Sequence, residues 1–340
     1  MLKSVFSLSI KDWEVFLEEK GEQKFRLKQI LEWIYRKRVS SFSEMGNLSK
    51  GLRESLTQSF FFEPLSVKTV LESKNDPGTK KILLETEDQL PVEMVLIPNE
   101  KGKETLCLSS QSGCPLACGF CATGGMGFLR NLSAEEILYQ FYLALKEYSL
   151  SNVVFMGMGE PFLNPALFEV LDKMTLKDFF AFPDRDITVS TAGIPDGIMK
   201  MSDYKQIRLA WSYHSSFDEK RAKLFPGLSK TISLEDIKKA FIQYQKMTKK
   251  RITLEYLLIG GINTQRDEAM ALKKLSRDLF FHLNLIAYNP HPYSEYQKPS
   301  RKEIIDFLGF FNDSGIDVSL RKSKGKDIQG ACGQLAAKSL

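Results

Sequence analysis

Five cysteines carry the first chemical signal in this chain: Cys107, Cys114, Cys118, Cys121 and Cys332. Their number is odd and the first four crowd into one short stretch, which speaks against a disulfide scaffold and for metal or redox chemistry. Cys114, Cys118 and Cys121 form C-x3-C-x2-C, followed by the glycine-rich Gly124-Gly125-Met126-Gly127. Thiolates this close in a loop can address one centre. Fully ligated iron–sulfur clusters use four cysteines, so three would leave one iron open to another ligand. A structural zinc ion wants four protein ligands; the fourth would be Cys107, upstream and inside a strand-like run. Buried structural cysteines are a third reading, and tight spacing in a loop fits it poorly.

Other candidates are weaker one by one. In PVEMVLIP, strand alternation puts Glu93 on a face with Val95 and Ile97. A carboxylate desolvated there is suited to general-base work; a surface glutamate on an edge strand is the plainer alternative. Cys332 lies in Gly330-Ala331-Cys332-Gly333. A lone cysteine is usually a small buried hydrophobe, but flanking glycines point to a mobile loop. Gly159 and Glu160, Ser190, Ser212 with Tyr213 and His214, and Asn289 each fall at or just after a strand-like segment. Singly they read as turn, capping or core residues. Their recurrence at successive strand ends favours a shared site, because parallel β/α folds build sites there.

The elements that must position these residues are legible. The segments TLCLSS, NVVFMG, DITVS, IRLAWS, ITLEYLLI, LNLIAYN and IDVSL read as strands, with helical runs between most of them. Capping boxes are expected at Ser133–Glu136, Ser233–Asp236, Thr264–Asp267 and Ser300–Glu303. Such alternation predicts a parallel sheet with helical crossovers, of about six β/α units. The expected division is a basic helical unit over 1–64, a short β-extension over 65–99, an α/β core over 100–327 and a cysteine-bearing tail over 328–340. In the first unit, Phe25, Leu27, Ile30, Leu31, Ile34 and Tyr35 form an apolar stripe amid Lys24, Arg26, Lys28, Arg36, Lys37 and Arg38. The chain has 340 residues and a net charge of +5, mildly basic and compatible with a polyanionic partner. No apolar run reaches the ~18 residues of a membrane span, and the N-terminus lacks a signal-peptide core. A cytoplasmic protein is expected.

The C-x3-C-x-Φ-C pattern, with Phe120 before the last cysteine, resembles the radical S-adenosylmethionine (SAM) superfamily. ETLCLSSQSGCPLACGFCATGGMGFLRNLSAEEI, FMGMGEPFLN, ITVSTAGIP, SYHSSFDEKR, NLIAYNP, RKSKGKDIQGACGQLA and the N-terminal FRLKQILEWIYRKR are similar, in order, to the RNA adenosine-C2 methyltransferases of the RlmN type. The resemblance implies a partial (β/α)6 barrel holding a [4Fe–4S] cluster on Cys114, Cys118 and Cys121. It implies SAM contacts at Gly159, Glu160, Ser190, Ser212, Tyr213, His214 and Asn289, although the family's usual S-L-H becomes Ser212-Tyr213-His214 here. It assigns Cys332 as the methyl-carrying cysteine, Cys107 as its transient disulfide partner and Glu93 as proton acceptor. The implied reaction uses two SAM molecules, one to methylate Cys332 and one to raise a 5′-deoxyadenosyl radical. The implied substrates are 23S rRNA and tRNA at the adenosine 3′ of the anticodon, with phosphates held by the N-terminal helices and by Arg321, Lys322, Lys324 and Lys326. A flavodoxin- or ferredoxin-like electron donor and a monomeric enzyme complete the expectation. The rivals are Cfr-type methylation at adenine C8 and a non-catalytic, zinc-bearing RNA-binding protein.

Overall fold

The computed structural model describes residues 2–100, 102–228 and 230–336. Ten strands make the main sheet: β1 (Leu65–Glu72), β2 (Lys80–Thr86), β3 (Pro91–Pro98), β4 (Glu104–Leu108), β5 (Leu150–Phe155), β6 (Ile187–Thr191), β7 (Arg208–Ser212), β8 (Ile252–Leu258), β9 (Phe281–Ala287) and β10 (Asp317–Arg321). Strands β4 to β10 are all parallel neighbours in chain order. The seven strand-like segments of the sequence are these seven strands. The sheet remains open, because β10 and β1 are its two edges. This is the expected partial barrel.

β1, β2 and β3 form an antiparallel meander joined to the core through the β3–β4 pair. The turn at Asn75–Gly78 falls between β1 and β2 as its Asn, Asp, Pro and Gly content demands. β1 itself was not legible from the sequence. Its burial runs from a buried Leu65 to six outward positions and a half-covered Leu71, so it lacks the alternation of a half-buried strand.

Helices cross over between successive parallel strands, among them Ala134–Glu147, Leu167–Thr175, Leu234–Thr248, Arg266–Leu275 and Arg301–Gly309. Two of the expected capping boxes form in full, at Ser133–Glu136 and Ser300–Glu303. At Ser233 the hydroxyl accepts from Asp236 N–H (3.1 Å) and donates to Asp236 Oδ2 (2.6 Å), but the full box is not formed. The Thr264–Asp267 box does not form. Gln265 is the N-cap there, and the Thr264 hydroxyl donates to Glu303 Oε1 instead (2.9 Å). A tertiary carboxylate outcompetes the local cap.

The N-terminal helices Ile10–Glu19, Phe25–Leu31 and Lys50–Ser59 are closed by a two-residue parallel ladder, Lys3–Ser4 against Phe60–Phe61. Their apolar faces join the core without a break. Tyr35 meets Phe179 and Phe180 edge-on at centroid distances of 5.2 and 4.9 Å. Lys173, buried, donates to Phe6 O (2.8 Å). Phe25 departs from the expected stripe: it is 51% exposed and lies beside the Arg26 guanidinium. None of the described helices is long and apolar enough to cross a membrane.

Candidate active site

The cysteine loop leaves the C-terminal end of β4 and is closed by backbone bonds. Cys114 N–H donates to Gly127 O (3.0 Å) and Cys121 N–H to Cys118 O (3.0 Å). Gly124 lies against Cys118, where a Cβ would sit 2.7 Å from the Cys118 nitrogen, so the loop tolerates only glycine at that position. Burial pushes all three thiols upward, Cys114 to about 12; Cys121 adds to the rise at Cys114, Cys114 and Cys121 to that at Cys118, and Cys332 to that at Cys121. Protonated neutral thiols are the stable form here until a cation takes the protons' place.

Cys114, Cys118 and Cys121 line one cavity of about 160 Å³ with Gly159, Glu160, Ser190, Ser212, His214, Glu255 and Cys332. The cysteines thus share a cavity with polar groups from the C-terminal ends of β5, β6 and β7 and with Glu255 from within β8. Two buried thiols and the half-buried Cys121 around one cavity suit a cluster in which separate irons each take one thiolate. Among the described residues, no three His, Cys, Asp or Glu side chains group as a single metal ion needs.

Gly159 adopts φ +102, and a Cβ there would lie 2.6 Å from the Gln111 side chain. Backbone therefore faces the cavity where any other residue would collide. Glu160 is fully inside. Its Oε2 accepts from Ala192 N–H (2.8 Å) and its Oε1 from Phe162 N–H (3.3 Å), yet burial raises its carboxyl to about 7. An ammonium ion in the cavity would reverse that cost. Ser190 and Ser212 hydroxyls are 3.3 Å apart on adjacent strands. His214 sits at φ 57, and its Nδ1 accepts from Leu257 N–H (3.1 Å). Burial and then the nearby Arg221 lower its imidazole to about 3, so the ring is neutral.

Tyr213 and Asn289 do not line this cavity. The Tyr213 ring packs edge-on against the buried Trp211 (4.8 Å between centroids), which is how the chain accepts tyrosine between Ser212 and His214. Asn289 Nδ2 donates to Ser323 Oγ (3.1 Å) and Cys332 O (3.4 Å), holding the tail instead.

Cys107 lies in β4, paired in register with Val95. It lines a second, adjoining cavity of about 330 Å³ with Cys332, Arg321, Lys322 and Lys324. Cys332 and Gly333 line both cavities. The glycine-flanked tail is not the mobile loop its composition predicts. Ala122 N–H donates to Gly333 O (2.7 Å), Thr123 Oγ1 to Leu335 O (2.6 Å) and Gln334 Nε2 to Pro290 O (3.1 Å). Leu335 packs with Val95, Cys107 and Met158. Arg321, Lys322 and Lys324, three of the cations expected to meet phosphates, all line this cavity.

Glu93 is 2% exposed and lines neither cavity. Its Oε1 pairs with Lys81 Nζ at 2.9 Å, and its Oε2 has no hydrogen-bond partner among the described residues. The plainer reading, a surface carboxylate, is thereby excluded. The sequence missed Lys81, Glu255 and Arg221. Glu255 stands in ITLEYLLI as Glu93 stands in PVEMVLIP, a carboxylate inside an apolar strand, and the same signal marks both. Arg221 donates to Tyr213 O and to Ala192 O (3.0 Å), fastening the ends of β6 and β7; nothing local announces it.

An open parallel sheet with three cysteines after its first strand and a polar cavity at its strand ends defines a radical SAM enzyme. Residues 108–273 match the Radical SAM superfamily, and residues 4–61 match the ribosomal RNA large subunit methyltransferase N-terminal domain. The chain is 41% identical over 99% of its length to "Probable dual-specificity RNA methyltransferase RlmN" of Petrotoga mobilis, covering 98% of that protein. It is 38% identical to the protein of the same name from Staphylococcus aureus strain JH9, over 99% of this chain and 93% of that one. The crystal structure of a radical SAM methyltransferase from Sphaerobacter thermophilus superposes with a TM-score of 0.93, at 34% identity over 99% of this chain and all of that one. The chain belongs to the RlmN family of RNA methyltransferases. It is a SAM-dependent enzyme of the radical class, which works with a [4Fe–4S] cluster and SAM.

Proposed function

We propose that the enzyme methylates C2 of one adenosine in 23S rRNA and of the adenosine 3′ of the anticodon in tRNA, through a methyl group carried on Cys332. The observation that carries this reading is the position of Cys332, which lines both the cavity of the three cysteines and the cavity of Cys107. A carrier must reach the radical source on one side and a resolving thiol on the other.

Cys114, Cys118 and Cys121 would hold the cluster, and Gly159, Glu160, Ser190, Ser212 and His214 would hold SAM, with Glu160 accepting from its ammonium group. When bound, cluster and SAM supply a 5′-deoxyadenosyl radical able to take a hydrogen atom from the methyl on Cys332. Tyr213 and Asn289 would act at one remove, by placing Ser212 and His214 and by holding the tail. The methylene on Cys332 then adds to C2, a carbon neither nucleophilic nor acidic enough for polar methyl transfer. Glu93, whose Oε2 has no hydrogen-bond partner among the described residues, takes the C2 proton once RNA is bound. Cys107 cuts the sulfur–carbon bond by forming a disulfide with Cys332, while the unpaired electron returns to the redox partner. Reductant restores both thiols. A flavodoxin- or ferredoxin-like protein serves as donor.

The target base leaves its stack to enter. Lys322 at the second cavity and the exposed Lys24, Lys28 and Lys37 would meet phosphates, joined by Lys324 if RNA draws it from Pro98 O. Lys37 also lies 3.6 Å over the Trp33 ring, an aromatic platform beside the cations. The enzyme acts in the cytoplasm, where both RNAs are found.

RNA from cells with and without the protein, digested to nucleosides and compared by mass spectrometry with 2-methyl- and 8-methyladenosine standards, tests the reading. The expected result is loss of 2-methyladenosine when the protein is removed. Loss of 8-methyladenosine alone would assign the C8 reaction instead. Anaerobically purified protein is expected to be brown, with iron and sulfide; colourless protein with one zinc would refute the enzyme.

A further inference from the structure

The second cavity poses a problem that its lining residues answer. Val95, Met158 and Leu335 pack around Cys107, with Ile97, Val154 and Met156 at the margin. Burial pushes the Cys107 thiol up to about 12, and the neighbouring Cys332 adds to the rise. Only the thiolate attacks sulfur. A cation facing the same space must therefore favour it.

Among the described residues, the charged groups lining the cavity are Glu100, Arg321, Lys322 and Lys324. Lys324 is committed at the rim, donating to Pro98 O (2.7 Å). Arg321 is placed differently. It ends β10 in register with Ile286 of β9, on the inner face of the sheet. Its Nη1 lies 4.0 Å from Met156 Sδ, within the apolar shell of Cys107. Asp317, on the same strand, is occupied by Arg251 (2.8 Å) and His282 (3.0 Å). Arg321 interacts by charge with Cys332 most strongly, then with Glu255 and Cys107. Glu255 is held by Asn284 Nδ2 (2.8 Å), and Asn284 Oδ1 by the Ser319 hydroxyl (3.2 Å), a row across β8, β9 and β10 just below the arginine.

We propose that Arg321 is the cation that makes Cys107 a nucleophile. The inference rests on Cys107 being the resolving thiol of the proposed reaction. In the resting enzyme Arg321 shares one cavity with both Cys332 and Cys107. Once Cys332 carries a methyl or methylene group its sulfur is a neutral thioether, and Arg321 is left to Cys107. The Cys107 thiol gives its proton to water at the cavity mouth. Its thiolate attacks Sγ of Cys332; the S–S bond forms and the S–CH2 bond breaks. The bonding pair goes to carbon, which takes a proton from water and becomes the methyl group. The two sulfurs are oxidised by two electrons and the carbon is reduced by the same two. Arg321 thus times the thiolate to the state in which it is needed.

The test is alkylation of Cys107 by iodoacetamide in cluster-loaded protein, read from the mass of its peptide. Cys332→Ala provides the background, because it removes the competing thiol as methylation does. At fixed pH below the thiol's midpoint, the rate ratio reports the difference in thiolate fraction directly. Adding Arg321→Met to that background is expected to slow alkylation about tenfold or more, the effect of about one pKa unit from a neighbouring charge. Arg321→Lys should keep most of the rate. Glu255→Gln, which frees Arg321 from its countercharge, should accelerate it, and this arm decides the matter should Arg321→Met fail to fold. Equal rates with and without Arg321, or no acceleration in Glu255→Gln, would overturn the proposal. No RNA enters this measurement. If Cys107→Ala methylated RNA normally, the resolving role of Cys107 would fall while the charge coupling to Arg321 still stood.

Discussion

At the scale of single residues the site is a set of groups whose ordinary chemistry burial has displaced. Cys332→Ser is expected to bind a full complement of iron yet yield no methylated RNA; peptide mass analysis of the active wild type should show S-methylcysteine at 332 before RNA is added. Turnover by that variant would remove the carrier. Cys107→Ala should still accept the methyl and then stall, leaving a nuclease-sensitive protein–RNA species on a denaturing gel that vanishes in the Cys107→Ala, Cys332→Ala double variant. His214 gives a prediction independent of catalysis. Its ring is neutral in the fold down to about pH 3, against an ordinary value of 6.5, because burial and Arg221 disfavour the cation. The unfolded chain binds that proton near pH 6.5 and the folded chain does not, so stability falls as pH drops through this window. Urea midpoints of His214→Gln should fall less between pH 6.5 and 4 than those of the wild type; parallel slopes would refute the coupling.

At the scale of elements, loops at the C-terminal ends of parallel strands do the positioning. Gly159→Ala must both leave φ +102 and displace Gln111. The expected result is a folded protein with its cluster but with SAM affinity reduced at least ~tenfold, measured by equilibrium dialysis. Normal affinity would show that the backbone at 159 does not approach the cofactor. The tail carrying Cys332 is fastened partly through Thr123, whose hydroxyl reaches Leu335 O. Thr123→Val should speed amide hydrogen exchange across residues 330–336 while iron content stays unchanged, because one buried bond of about 1 kcal/mol is lost there.

At the scale of the whole molecule, the N-terminal helices and the barrel share one hydrophobic cluster, running from Val5 through Tyr35 and Phe180 to Phe311. Lys173 and Arg36 add polar ties across the junction, to Phe6 O and to Lys177 O and Phe180 O. The boundary expected after residue 64 therefore runs through one continuous apolar cluster. Calorimetry of the full chain is expected to show one cooperative transition. Two resolved transitions, one of them abolished by removing the N-terminal helices, would show that the shared core is energetically minor.

Much of this protein is local and so could be read in one dimension. The C-x3-C-x2-C spacing is a property of one loop, the parallel strands of short apolar runs, and the caps at Ser133 and Ser300 of residues three apart. Whatever depends on pairing distant segments could not be read this way. Lys81 finds Glu93 across β2 and β3, Thr264 leaves its own helix for Glu303, and Arg221 ties strand ends that it follows in the chain. The tail shows the difference most plainly. Its glycines predict freedom, because a free chain with glycine has the most conformations to lose. Only the folded sheet supplies the Ala122 amide, the Thr123 hydroxyl and the apolar wall at Val95 and Met158 that offset that entropy, and so only the tertiary structure decides that Cys332 stands between the two cavities.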